Sequence, residues 1–293
     1  MDSEIYYFSG TGNSLAVARD IAGKINAQLL SIPDLMSKER FTTQSDTLGI
    51  VFPVYQGNLP LIVYRFISKL HNLGNKYIFA VCTFGDSPGI SMDYLVEAVQ
   101  AREGKLAVGY GVHMPYNYIT PGSFLKKFFT SFRLREIAPE KQQELFANSK
   151  NKVESICASI NEQKVGVYET DSETLNRFID FINLKETLGK TLWLRIAGYR
   201  KPSTLSFLES RQLMDCGFWA DENCNGCGIC ARICPVENIL MNFAKPVWQQ
   251  RCEQCFACLQ WCPRAALQFG SKTVGQKRYH HPDIRISDML RQS

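Results

Sequence analysis

Apolar residues fall in short unbroken runs through the first part of the chain. Ile5–Phe8, Thr47–Val54, Lys76–Thr83 and Lys105–His113 each read as a strand buried on both faces. Between the runs, apolar residues recur at helical spacing. Leu15, Ala18, Ala22 and Ile25 make one such face. Val63, Phe66, Ile67 and Leu70 make a second, with Pro60 suited to its first turn. Met92, Leu95, Val96 and Val99 make a third. Pro139 precedes a helix predicted over residues 140–162. Strands that alternate with helices predict an α/β fold, a doubly wound parallel sheet with helices on both faces.

Past that helix the periodicity fades. Thr174–Ile182 looks helical, and residues 166–215 as a whole read as a connector. Within it, 190–208 carries Lys190, Arg195, Arg200 and Lys201 without an acid, mixed with Leu192, Trp193, Leu194 and Ile196. A linker helix packed between domains is the plain reading. Docking to an acidic partner or a membrane surface are the alternatives. The predicted organisation is a first domain over 1–165, this connector, a second small α+β domain over 216–283 and a tail over 284–293.

The chain has 293 residues, room for two domains, and an ordinary hydrophobic fraction of 45%. Its start shows no basic stretch followed by a long apolar one, and no run of 18 apolar residues occurs anywhere. Neither a secretory leader nor a transmembrane segment is therefore expected. Eleven cysteines are many, but eight fall in two motifs. Cys82, Cys157 and Cys216 remain, odd in number and scattered, which speaks for a reducing, cytoplasmic setting and for inert structural thiols. The formal net charge of +5 leaves the thiols neutral. No concentrated basic patch exists, so nucleic acid is not an expected partner.

Three polar, glycine-containing loops follow the first three strands. The first is Ser9-Gly10-Thr11-Gly12-Asn13-Ser14, between a strand and a helix, where unpaired N–H groups and the helix dipole favour an anion. It has no Lys for a Walker loop and no third glycine for a dinucleotide fingerprint. Hydroxyls and backbone N–H groups remain, and they can hold a phosphate without a cation. The pattern Ser9-x-Thr11-Gly12-Asn13-Ser14 resembles the phosphate loop of flavodoxins. That resemblance implies FMN, with its phosphate on residues 9–14. It also implies that the second and third loops flank the isoalloxazine, through Pro53, Tyr55, Gln56, Gly57, Asn58, Thr83, Phe84 and Gly85. Tyr55 is the first candidate for stacking on the ring, and Phe84 the second. His113–Tyr118, at the same sheet edge, could cover the flavin or be a plain Pro-rich loop.

Cys224, Cys227, Cys230 and Cys234 stand at spacings x2, x2, x3, followed by Pro235. Cys252, Cys255, Cys258 and Cys262 repeat the spacing, followed by Pro263. A zinc site uses two C-x2-C pairs, so runs of three followed by x3-C-P fit zinc poorly. The double run resembles bacterial-type 2[4Fe–4S] ferredoxins. In those proteins the fourth Cys of each run serves the other cluster. The resemblance thus implies one cluster on Cys224, Cys227, Cys230 and Cys262, and another on Cys252, Cys255, Cys258 and Cys234. Two such clusters bring the net charge down to about +1. Trp248 and Trp261 are expected to shield the clusters from water. His280 and His281 lack a third ligand nearby and read as a structural tail.

Taken together, the chain resembles the flavodoxin–ferredoxin fusion family of anaerobic bacteria, over about 1–165 and 216–283. The resemblance implies two [4Fe–4S] clusters, FMN and electron transfer with redox partner proteins of unknown identity. A homodimer is compatible with the sequence. Three readings remain: a low-potential electron carrier, a flavin-dependent reductase fed by the clusters, and a redox or oxygen sensor. The absence of a clear substrate domain or NAD(P) fingerprint favours the carrier, and whether the chain is an enzyme stays open.

Overall fold

The run Ile5-Tyr6-Tyr7 lies within strand β1 (Ser3–Tyr7) in the computed structural model of the chain, which describes residues 2–116, 138–170, 188, 190–270 and 273–291. The backbone separates into two compact units. Described residues up to 170 belong to the first, and those from 188 onward to the second.

In the first unit β1 is followed by β2 (Gln28–Ser31), β3 (Phe41–Thr42), β4 (Thr47–Pro53), β5 (Leu70–His71), β6 (Tyr77–Phe84), β7 (Leu106–His113) and β8 (Val167–Tyr168). Six of these form one parallel sheet in the order β2-β1-β4-β6-β7-β8, while β3 and β5 pair with each other. Helices α1 (Asn13–Ile25), α2 (Ile32–Leu35), α3 (Leu61–Ser68), α4 (Ser91–Gln100) and α5 (Pro139–Asn161) connect and cover it. On one face Val17 and Ile21 of α1 meet Val153, Ile156 and Ile160 of α5 over Ile5, Val51, Phe79 and Val108. On the other, Phe66 of α3 packs against Tyr6 with ring centroids 4.9 Å apart. Neighbouring residues of β1 thus serve opposite faces, and both faces are covered. This is why the central strands read as unbroken apolar runs.

The order reverses at β1, with β2 on one side and β4 on the other. The chain leaves β1, β4, β6 and β7 at one sheet edge, the position where doubly wound sheets bind ligands.

Two strands of this sheet depart from the sequence pattern, which predicts β7 as the last and omits β2. Residues of β2 are half-buried or exposed, and both residues of β8 are exposed. Neither makes an apolar run. β8 is held by backbone instead, with Gly166 N–H donating to the Ala107 carbonyl at 2.8 Å and Glu169 N–H to Gly109 at 2.9 Å. The helix predicted over Thr174–Ile182 lies outside the described residues, as do Asn117 and Tyr118.

The second unit contains α6 (Lys190–Ile196), α7 (Phe207–Ser210), a 3-10 turn (Arg211–Gly217), β9 (Phe218–Ala220), α8 (Ile229–Arg232), β10 (Ile239–Asn242), β11 (Lys245–Trp248), α9 (Ala257–Gln260), β12 (Leu267–Phe269) and α10 (Ile286–Met289). It is built twice over. Strand, cysteine loop, short helix and strand occur as β9, α8, β10 and again as β11, α9, β12. The antiparallel pairs are β10 with β11 and β12 with β9. The core is aromatic: Phe218 touches Trp248, Phe256 and Phe269 with centroids 5.5, 5.4 and 4.8 Å away. Leu194 and Ala197 are buried in this same core, so the cationic stretch around α6 packs into the second unit. Among the described residues no helix is long and apolar enough to cross a membrane.

Candidate functional site

The first loop closes onto α1 through Gly12, whose φ of 96° is open to glycine at little cost. Gly12 N–H donates to Ser9 Oγ at 3.1 Å, which draws the loop into a tight arc. Thr11, Asn13 and Ser14 are buried at its base. Ser14 Oγ and Thr83 Oγ1 lie 2.8 Å apart, linking the loop to the end of β6. Asn13 Nδ2 donates to the Pro115 carbonyl at 3.0 Å, linking it to the segment after β7.

The second loop is a tight turn. Tyr55 and Asn58 exchange N–H···O bonds of 3.1 and 3.0 Å around Gln56 and Gly57, both left-handed at φ 56° and 74°. Pro53 closes β4 beside Thr83. The third loop comes down on this turn: Ile90 N–H donates to the Gly57 carbonyl at 3.0 Å. A Cβ on Gly89 would stand 2.3 Å from that carbonyl oxygen, and Gly89 has φ +57°. Gly89→Ala is therefore expected to push the two loops apart, at about 1–3 kcal/mol for backbone strain alone. Flavin fluorescence followed on heating checks this. FMN should leave the variant several degrees earlier, and an unchanged release temperature would show that the contact is dispensable.

The candidate stacking rings sit differently from one another. Tyr55 is 8% exposed and turned edge-on to Phe8 at 6.0 Å. Phe84 lies parallel to His113 at 5.4 Å. Tyr116, within the segment His113–Tyr118 read as a flavin cover or a plain loop, packs over Gly85 and keeps 37% of its surface exposed. Its hydroxyl is pushed up by burial and by the Asp86 carboxylate, so the ring stays neutral.

These residues fit a flavin phosphate and ring edge. The cradle at the α1 N-terminus has hydroxyls and amides and no cation among residues 9–14. Gln56 Oε1, at the same edge, is buried with no hydrogen-bond partner among the described residues, an acceptor awaiting an N–H.

In the second unit the eight motif thiols gather in two groups. Cys224, Cys227, Cys230 and Cys262 line one cavity, together with Met241 and Arg264. Cys234, Cys252, Cys255 and Cys258 line another, together with Trp248, Glu253 and Phe256. Each cavity takes three thiols from one run and the fourth from the other. Among the described residues no three His, Cys, Asp or Glu side chains converge to hold a single metal ion. The thiols surround a volume instead, as a four-iron cube requires.

The loops share backbone as well as sequence. Gly226 and Gly228 have φ 74° and 74°, and the corresponding Gln254 and Phe256 have φ 54° and 57°. Glu237 and Ala265, each three residues past the last Cys of a run, repeat the match at 51° and 48°. Left-handed residues turn successive N–H groups toward one side, a nest for negative charge. Asn238 N–H reaches Cys234 Sγ at 3.2 Å, and Gln254 N–H reaches Cys252 Sγ at 3.3 Å.

Burial pushes the Cys230 thiol up to about 11 and the Cys255 thiol to about 12. Cys234, Cys252 and Cys258 are pushed up for the same reason. A cluster held here would have to displace protons from thiols whose burial favours the neutral form.

Asp215 and Asn238 carry the entry to the second loop, and no motif marks either one. Asp215 Oδ2 accepts from Asn238 Nδ2 at 2.9 Å and from Gln250 N–H at 2.7 Å. Asn238 Oδ1 accepts from Gln249 and Arg251 N–H at 3.1 and 2.6 Å. Both side chains are buried. Trp261 is buried and stacks on His280 at 4.3 Å, while His281 is buried with Nδ1 accepting from Asp283 N–H at 3.2 Å. Cys82 and Cys157 are buried in the first unit, whereas Cys216 is exposed.

Residues 4–112 match the family described as flavodoxin domain, and residues 218–240 the family described as 4Fe–4S binding domain. Strands β4 and β6 and the three loops lie within the first span and the first cysteine run within the second, and the two domains together support a flavin and iron–sulfur redox protein of the electron-carrier class. The chain thus joins a flavodoxin domain to a 4Fe–4S binding domain.

An uncharacterized protein of Methanocaldococcus jannaschii is 36% identical over 59 residues, covering 20% of this chain. The chain thus spans 23% of the length of that curated relative. Solved structures similar to the first unit include a flavodoxin from the domain Archaea, at 14% identity and TM-score 0.31, covering 53% of this chain and 99% of that one. The flavodoxin of Streptococcus pneumonia TIGR4 has 14% identity and TM-score 0.34, covering 54% and 99%. The two-electron-reduced flavodoxin of Megasphaera elsdenii has 23% identity and TM-score 0.31, covering 40% and 90%.

Proposed function

We propose that the chain is a low-potential carrier that passes electrons between two [4Fe–4S] clusters and FMN and exchanges them with separate redox proteins. The observation that carries this reading is the pair of thiol quartets, each completed by a cysteine from the opposite run. When bound, the clusters supply one-electron steps and FMN one- or two-electron steps, so together they can collect single electrons and deliver a pair.

The chain's own residues have distinct tasks in this scheme. The four thiols of each cavity hold one cube, and the left-handed loop residues direct N–H groups at the sulfurs. Ser9–Ser14 hold the FMN phosphate by hydrogen bonds alone. The Tyr55–Asn58 turn and the Phe84–Gly89 loop border the ring, with Gln56 Oε1 as acceptor. Asn13, tied to Pro115, keeps the phosphate loop and the segment after β7 in one piece.

The test is an anaerobic pulse of a strong one-electron donor to the fully loaded protein. Cluster bleaching followed by flavin reduction at a rate independent of protein concentration is expected. A rate proportional to protein concentration would mean that electrons cross between molecules, and internal relay would be wrong. Persistent flavin turnover of a small acceptor would favour the reductase reading instead.

A further inference from the structure

The two thiol quartets stand in different electrostatic surroundings, although their spacing is the same. Around the first, Cys227 is exposed and Cys224 and Cys262 are half-buried. Arg264 lines this cavity. The Arg278 guanidinium is anchored beside it, with Nη2 donating to the Ala265 and Leu267 carbonyls at 3.0 and 2.8 Å; it acts most on Cys262, and also on Asp221 and on Cys258 of the other quartet. Lys245 Nζ lies 3.4 Å from the Cys224 carbonyl. The Asp221 carboxylate on this side is occupied by Gln268 Nε2 at 2.8 Å and Asn223 N–H at 2.9 Å.

Around the second quartet the balance is reversed. Cys234, Cys255 and Cys258 are buried, and Cys252 is half-buried. Glu253 lines the cavity and is itself buried. The Asp215 carboxylate, behind Gln250, bears on Cys252. Two cations act on this side: Arg291, which acts on Cys234 and is paired with Glu237, and Arg278, which it shares with the first quartet through Cys258.

A cluster that takes up one electron becomes more negative by one charge. Nearby cations and access to water favour that state, and buried carboxylates oppose it. Resting on the two-cluster reading above, we propose that the Cys224/Cys227/Cys230/Cys262 site is the higher-potential one and the Cys234/Cys252/Cys255/Cys258 site the lower. A single electron from an external one-electron donor then settles at the first site, beside Arg264. The second site, held lower by Glu253 and Asp215, is reduced only after it. Arg264 and Glu253 are potential-setting residues, each for one site.

An EPR-monitored titration of the full, cluster-loaded chain with dithionite and mediators tests this. Two separate one-electron waves are expected. Arg264→Gln should lower the upper wave alone, and Glu253→Gln should raise the lower wave alone. Each shift should reach a several-fold to tenfold change in the reduced-to-oxidised ratio, tenfold being about 59 mV for one electron. Arg264 is exposed, so its variant keeps the fold and the test stands if the buried Glu253 variant does not assemble. Arg264→Gln moving the lower wave, or neither wave, overturns the assignment. So does a single unsplit wave from a protein holding about eight irons, which leaves two clusters in place. About four irons per chain would instead remove the two-cluster reading itself.

Discussion

Stripping iron from the anaerobic protein with a chelator is expected to unfold the second unit and leave the first folded. Cys230, Cys234 and Cys258 belong to the apolar core of the second unit, alongside Phe218, Phe256, Leu259 and Phe269. The strands there are three or four residues long and the helices of the cluster loops four. Elements so short contribute little stability of their own. Without iron the two thiol-lined cavities lose the group that ties their walls together. In small metal-dependent folds the binding free energy of the metal is folding free energy. The first unit has no such dependence, because its six-stranded sheet is covered by helices on both faces. The chain supplies a convenient probe: its four tryptophans are Trp193, Trp219, Trp248 and Trp261, all in the second unit. Chelation should move their emission to longer wavelength while most of the far-UV helix signal stays. Native-like emission from iron-free protein would show that the apolar core holds this unit without its clusters.

The parts of the molecule legible in sequence are those whose signal is local. Strands β1, β4, β6 and β7 lie inside the sheet with both faces covered, so each writes an apolar run. Strand β2 is a half-exposed edge and β8 is two exposed residues held by backbone bonds, so neither leaves a periodic trace. The cysteine loops are legible because ligand spacing is itself a local constraint. Asp215 is not, since its importance comes from burial and from accepting Asn238 Nδ2 and Gln250 N–H, and a lone Asp announces neither. The aromatic rim shows the same limit. Position in a loop singles out Tyr55, but orientation decides which ring can face a ligand. Tyr55 turns into Phe8, whereas Tyr116 keeps an exposed face. The potential difference argued between the two sites is not written in the spacing, because both runs have one spacing and the charges come from Asp215, Glu253 and Arg264.

Replacing Thr11 and Asn13 together with Ala is expected to release FMN while the clusters stay. The cradle has no cation among residues 9–14, so phosphate affinity must come from hydrogen bonds to hydroxyl, amide and backbone groups. Hydrogen bonds to a charged group contribute about 1.5–3 kcal/mol each. Losing two amounts to at least a hundredfold weaker binding, since each factor of ten is about 1.4 kcal/mol. Asn13 adds a second effect, because its Nδ2 bond to the Pro115 carbonyl fixes the segment after β7 against the loop. Asn13→Asp separates the two contributions: it removes the donor and sets a negative charge beside the phosphate, so it should bind FMN more weakly than Asn13→Ala. Fluorescence titration of deflavinated protein measures all three variants, and the iron content of each should match the parent, since the motif thiols lie in the other unit. Parent-like flavin affinity in the double variant would place the phosphate elsewhere, and the hydroxyls of residues 9–14 would then be packing groups at the start of a helix.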